Sequence, residues 1–178
     1  DPSAPADAGL REVHEALLAL VRVEEAARTA IAERRGGRLD LGFVRPRWES
    51  FAKVRLRGLE PAPAGGEESV VFELQAGAST LRPLGGLDAD SLVRLAALVP
   101  EITAGLPTWW DPLCRWVIGL DTPAGAGLLN DPAVGEGVRG WLRGRLVARG
   151  RDVLVALREA RSRADVPTGS GFLWELDV

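Results

Sequence analysis

The apolar positions of the first forty residues recur with a helical period. Leu10, Val13, Leu17, Leu20, Ala27 and Ile31 fall three, four or seven apart, and Ala16, Val23 and Ala30 widen the stripe. Asp7 stands at an N-cap position, and Arg34-Arg35 followed by Gly36-Gly37 closes the run. The pattern predicts one amphipathic helix over 8–35, about 40 Å long at the usual rise of about 1.5 Å per residue. Residues 1–7 read as a polar, linker-like lead. Glu24 is the odd member. At roughly 100° per residue it falls inside the stripe, so a cationic partner is expected, such as Arg28 one turn on.

After Gly37 the period shortens to two. LDLGFV predicts a short strand. FAKVRLRGL at 51–59 alternates, with Ala52, Val54 and Leu56 on one face and Lys53, Arg55 and Arg57 on the other. SVVFELQA at 69–76 alternates again, with Val70, Phe72 and Leu74 inward. Across the loop 60–68 these two runs predict a β-hairpin.

Asp88 then reads as the N-cap of a helix to about Val99, apolar beyond its first turn and so expected to be buried. Asp111-Pro112 and Asp131-Pro132 read as two more helix starts, the second opening a helical stretch over 132–164. Within it Gly150 is a potential break, and VLVAL beyond it reads as buried helix or strand. TPAGAGLLN, between the two starts, reads as an inter-helix loop. The C-terminal FLWELDV alternates like a strand able to join the hairpin. Alternating βαβ units are missing, which argues against a doubly wound sheet. The fold class expected is α+β: a long N-terminal helix, a small antiparallel sheet and three to four further helices, in a single domain over 8–178.

Composition narrows the chemistry. The chain of 178 residues is 46% hydrophobic and 26% charged, as ordinary globular domains are. It has no apolar run long enough to span a membrane. It holds one histidine, His14, and one cysteine, Cys114. An internal disulfide is therefore excluded, and a zinc site made of Cys and His from this chain alone would lack ligands. No metal or cofactor is expected. Cys114 reads as a buried, inert thiol, and His14 as a boundary residue at the stripe's edge. Nucleophilic catalysis at Cys114 or Ser170 would depend on that one imidazole. The lone cysteine and the lack of a basic, apolar leader point to the cytoplasm.

Two features remain as candidate chemistry. The first is apolar. The predicted helix is wider and longer in its apolar stripe than a small sheet needs, so Leu10, Val13 and Leu17 are expected to project past the core. Trp109-Trp110 precede a helix start in a Pro-bounded segment, where adjacent rings cannot both enter one core. These five residues form an expected partner-binding surface, for another protein or a second copy. Trp48, in the loop RPRWES, is a further exposure candidate. The second feature is basic: Arg139, Arg143, Arg145 and Arg149 crowd one segment, and Lys53, Arg55 and Arg57 share a strand face. They offer an alternative reading as an anion, nucleotide or nucleic-acid binder, disfavoured by the net charge of −3. Gly125-Ala126-Gly127 lacks the third glycine and the Lys-Ser/Thr of phosphate loops. The function expected is a non-enzymatic protein–protein interaction module.

Overall fold

Alanine, with the best helix propensity of all residues, and Pro5, which is tolerated in a first turn, start the first helix earlier than the Asp7 cap suggests. In the computed structural model, which describes residues 4–45, 48–61, 67–119 and 121–148, helix α1 runs over Ala4–Ala32. Ala4–Asp7 are therefore helical, not linker. The helix stops three residues short of Arg35 in a Schellman turn. Arg35 N–H donates to Ala30 O at 2.9 Å and Arg34 N–H to Ile31 O at 3.0 Å. Arg34 occupies the left-handed position at φ 57°, where glycine is usual. Gly36 and Gly37, also at positive φ, reverse the chain into the sheet.

The sheet is a four-stranded antiparallel meander of β1 (Arg38–Phe43), β2 (Glu49–Glu60), β3 (Ser69–Glu73) and β4 (Ser79–Pro83). The expected hairpin is β2–β3, with Val54, Leu56, Val70 and Phe72 fully inward and Leu74 half-buried. One face assignment is corrected. Ala52 is exposed, and Phe51 takes the inward place. The cause is a bulge. Asp40 alone opposes Ala52 and Lys53, Lys53 sits at φ 52°, and its N–H donates to Asp40 Oδ1 at 2.7 Å. The extra residue reverses the alternation on its far side. β4, five residues ending in proline, carries no strong alternation of its own.

The free edge of β1 is covered by the start of the next helix. Asp88 N–H donates to Gly42 O, and Gly42 N–H donates to the buried Ser91 Oγ at 2.7 Å. Asp88 is the expected N-cap of α2 (Ala89–Ala96), its Oδ1 accepting from Ser91 N–H at 2.7 Å. Leu92, Val93, Leu95, Ala96 and Val99 are buried as the pattern predicts. A short α3 (Pro100–Thr103) leads to α4 (Trp110–Gly119), in which Asp111 is a first-turn residue bonded to Arg115, not the cap.

TPAGAGLLN is not a loop. It forms α5 (Thr122–Asn130), capped by Asp121 Oδ1 on Ala124 N–H, with Pro123 in the first turn. Gly125 is tolerated there because a Cβ would stand 2.6 Å from Trp116 Cδ2, so glycine lets α5 close on α4. Asp131 caps the end of α5, and α6 begins at 136 and is described to 148. Arg149, VLVAL, Ser170 and the expected C-terminal strand lie outside the described residues.

The chain divides into two compact units, Asp1–Arg139 and Gly140–Val178. The core of the first is a helix layer on one sheet face. Leu41, Phe43, Val54, Leu56, Val70 and Phe72 meet Val23, Ala26, Ala27, Ala30 and Ile31 of α1, and Leu92, Val93, Leu95 and Val99 at α2. Phe72 stacks on Phe43 at 5.8 Å and meets Phe51 edge-on at 5.0 Å. Among the described residues no helix is long and apolar enough to cross a membrane.

Candidate interaction surface

Helix α1 carries two apolar faces. The buried one is built from small residues, Ala16, Ala19, Val23, Ala26, Ala27 and Ala30, closed by Ile31. Alanine lets a helix axis approach its neighbours closely, and α1 packs on α2, α3, α4 and β2. The large aliphatics point elsewhere. Leu10 is 69% exposed, Leu17 and Leu18 44% each, and Val21 60%. Leu10, His14, Leu17 and Val21 follow a four-three-four spacing, which places them along one seam about 16 Å long. All four are exposed.

The exposure does not arise from overhang. The N-terminal half of α1 is fixed to the start of α6, where Glu12 Oε2 accepts from Gly137 N–H at 2.7 Å. A Cβ on Gly137 would stand 2.5 Å from Gly9 O, so the two backbones are in near contact. Leu10 and Leu17 lie outside the core because their face of the helix has nothing on it among the described residues, while Val13, at the edge, is half-buried. Glu24 is likewise exposed, so the expected buried ion pair does not form. Arg28 turns to Glu68 instead, at 2.7 Å.

Beside Leu18 the surface is concave. Glu15, Leu18, Ala19 and Arg22 of α1 and Gly105, Leu106 and Pro107 before α4 line a groove of about 390 Å³. It joins the seam to the segment that holds the tryptophan pair. Trp109 itself is buried, and Trp110 is half-buried against the main core. Neither ring lines the groove, whose wall on this side is Leu106 and Pro107. Leu18 and Val21 are surface residues that the helical-period reading passed over. The four-three-four run through Leu10 is the signal that finds Val21, whereas Leu18, next to Leu17, lies off that run.

Arg139, Arg143 and Arg145 differ in their surroundings. Arg139 is half-buried, donating to Asp131 O at 2.6 Å and to Glu136 at 3.5 Å. Arg143 is exposed, and Arg145 lies 5.4 Å from the centre of the Trp141 ring. Arg149 lies outside the described residues. Cys114 is fully buried, and burial, helped by Asp111, pushes its thiol up to about 12. At neutral pH it is a protonated, shielded thiol. His14 is exposed on α1. No group of three or more metal-ligating side chains is found among the described residues. The chain matches no family model, no curated protein and no solved structure.

Proposed function

We propose that the protein is a non-enzymatic interaction module of the cytoplasm that docks a partner along the outer face of α1. The observation that carries this reading is the second apolar face: Leu10, Leu17, Leu18 and Val21, all large and all exposed on one well-anchored helix. Among the described residues the core contacts of this helix are met by small side chains, which leaves four large aliphatics outside the core. Contiguous exposed apolar patches of this kind mark interfaces. The seam spacing suits a helix of the partner, another protein or a second copy, laid along α1 with its edge in the groove at Leu106 and Pro107.

The test is a photo-crosslinking amino acid placed at position 17 or 21 of the full chain and activated in the source cells. Position 55, exposed on the opposite face of the sheet, is the control. Adducts of defined mass at 17 and 21 but not at 55 support the reading, and an adduct of twice the chain mass identifies a second copy. Equal labelling at all three positions, or none, contradicts it.

A further inference from the structure

A second cleft, sharing no residue with the α1 surface, lies where Val44, Arg45 and Trp48 face the start of α2 and the end of α4. Its volume is about 460 Å³, and Asp88, Arg115, Ile118 and Asp121 are among the residues that line it. This is within the size range of built binding sites. Its apolar side is unusual for a surface. Val44, Ile118 and Trp48 are all exposed, Trp48 to 73%. Two glycines at its margin stand where an added Cβ would clash. A Cβ on Gly119 would stand 2.8 Å from Ala89 Cβ, and one on Gly86 would stand 2.7 Å from Arg45 O.

Its charges select the occupant. Two helix N-termini, of α2 and α5, open here, and an uncapped N-terminus attracts anions. Both are already capped by their own carboxylates, Asp88 on Ser91 N–H and Asp121 on Ala124 N–H. An anion would meet those carboxylates first. Arg115, the cation of the far wall, is held by Asp90 and Asp111. Acids outnumber bases in the lining by three to two, Asp88, Asp90 and Asp121 against Arg45 and Arg115. Beside them stands the open ring of Trp48, a face suited to a guanidinium or ammonium.

We propose that this cleft docks an extended peptide segment of a partner protein, in which an apolar anchor side chain stands next to an arginine or lysine. The anchor packs between Val44 and Ile118. The cationic side chain lies over Trp48 and reaches the carboxylates of Asp88 and Asp121. The proposal stands apart from the α1 reading, and either may fail alone.

The experiment pans a random-peptide library on the full chain, then measures the enriched peptides by fluorescence polarisation against wild type, Trp48→Ala and Asp121→Asn. Asparagine retains the helix cap, and Trp48 is too exposed to hold the fold, so both variants should keep the wild-type unfolding midpoint. The expected result is an enriched motif pairing an apolar with a basic residue. Its affinity should fall about tenfold in Trp48→Ala and by a smaller factor in Asp121→Asn. An enriched acidic or phosphate-bearing motif, a motif whose affinity ignores Trp48→Ala, or no enrichment at all would overturn it.

Discussion

Replacing Phe72 by alanine perturbs the centre of the fold. The side chain is fully buried in β3, with Phe43 stacked at 5.8 Å and Phe51 edge-on at 5.0 Å. Large-to-small substitution of a buried phenylalanine costs about 3–5 kcal/mol, because transfer and cavity terms add. Each of the two ring pairs adds about 0.5–1.5 kcal/mol beyond area burial. The layer cannot collapse easily into the gap, since β3 is held on both sides by β2 and β4. The expected loss is therefore at the upper end, about 4–5 kcal/mol. A domain of this size has about 5–15 kcal/mol in total, so Phe72→Ala sits near the edge of folding. Phe72→Leu, expected to lose about 1–2 kcal/mol, gives a second point that stays folded. Urea unfolding followed by circular dichroism reads both. A loss below about 1 kcal/mol for the alanine variant, at unchanged m-value, would mean that Phe72 is not at the centre of the layer.

Gly125→Ala and Gly127→Ala should differ in sign within one helix. The first drives a methyl into the Trp116 ring and should lose about 1–3 kcal/mol, whereas the second points into open space and should gain about 0.5–1 kcal/mol, as paired thermal melts would show. Arg34→Gly should stabilise by roughly 1 kcal/mol, because it relieves the left-handed C-terminal position of α1; a loss of stability would show that the Arg34 side chain matters more than its backbone. Cys114 titrates near pH 9 when unfolded but only at about 12 when folded. Its stabilising preference for the neutral thiol is complete below pH 9 and is lost as pH rises through 12, at roughly 1.4 kcal/mol per pH unit in between. Cys114→Ala should flatten that alkaline decline, and native Cys114 should resist alkylation at neutral pH until the chain unfolds.

What the residues disclosed depended on how far each signal reaches. The β2–β3 hairpin and the Asp88 cap rest on short-range rules, alternation and a side chain bonding three residues on, and both stand. The bulge at Lys53 depends on which residue opposes Asp40 across the sheet, so the reversal that buries Phe51 and exposes Ala52 was invisible from alternation. In α5, glycine and proline outweighed helix in the reading of TPAGAGLLN. Only the ring of Trp116, nine residues earlier, shows why glycine is there. The exposure of Leu10 and Leu17 was expected for a reason that does not hold, since Glu12 and Gly9 fix that half of α1 to the start of α6. A stripe that holds both leucines and alanines does not say which of the two the fold covers, and here the close-packed side is the alanine one. Trp109 and Trp110 illustrate the same limit: adjacency does not say which ring the fold will cover.

On the proposed reading, the leucine face of α1 belongs to a partner and not to the fold. Leu10→Asp, Leu17→Asp and Val21→Asp combined in one chain test it most directly, by thermal unfolding and by light scattering with the crosslinked partner, or across a concentration series if the partner is a second copy. The expected result is an unfolding midpoint within a few degrees of wild type, with the complex or dimer lost. A triple variant that unfolds outright, or one that stays folded and still assembles as wild type does, would contradict it.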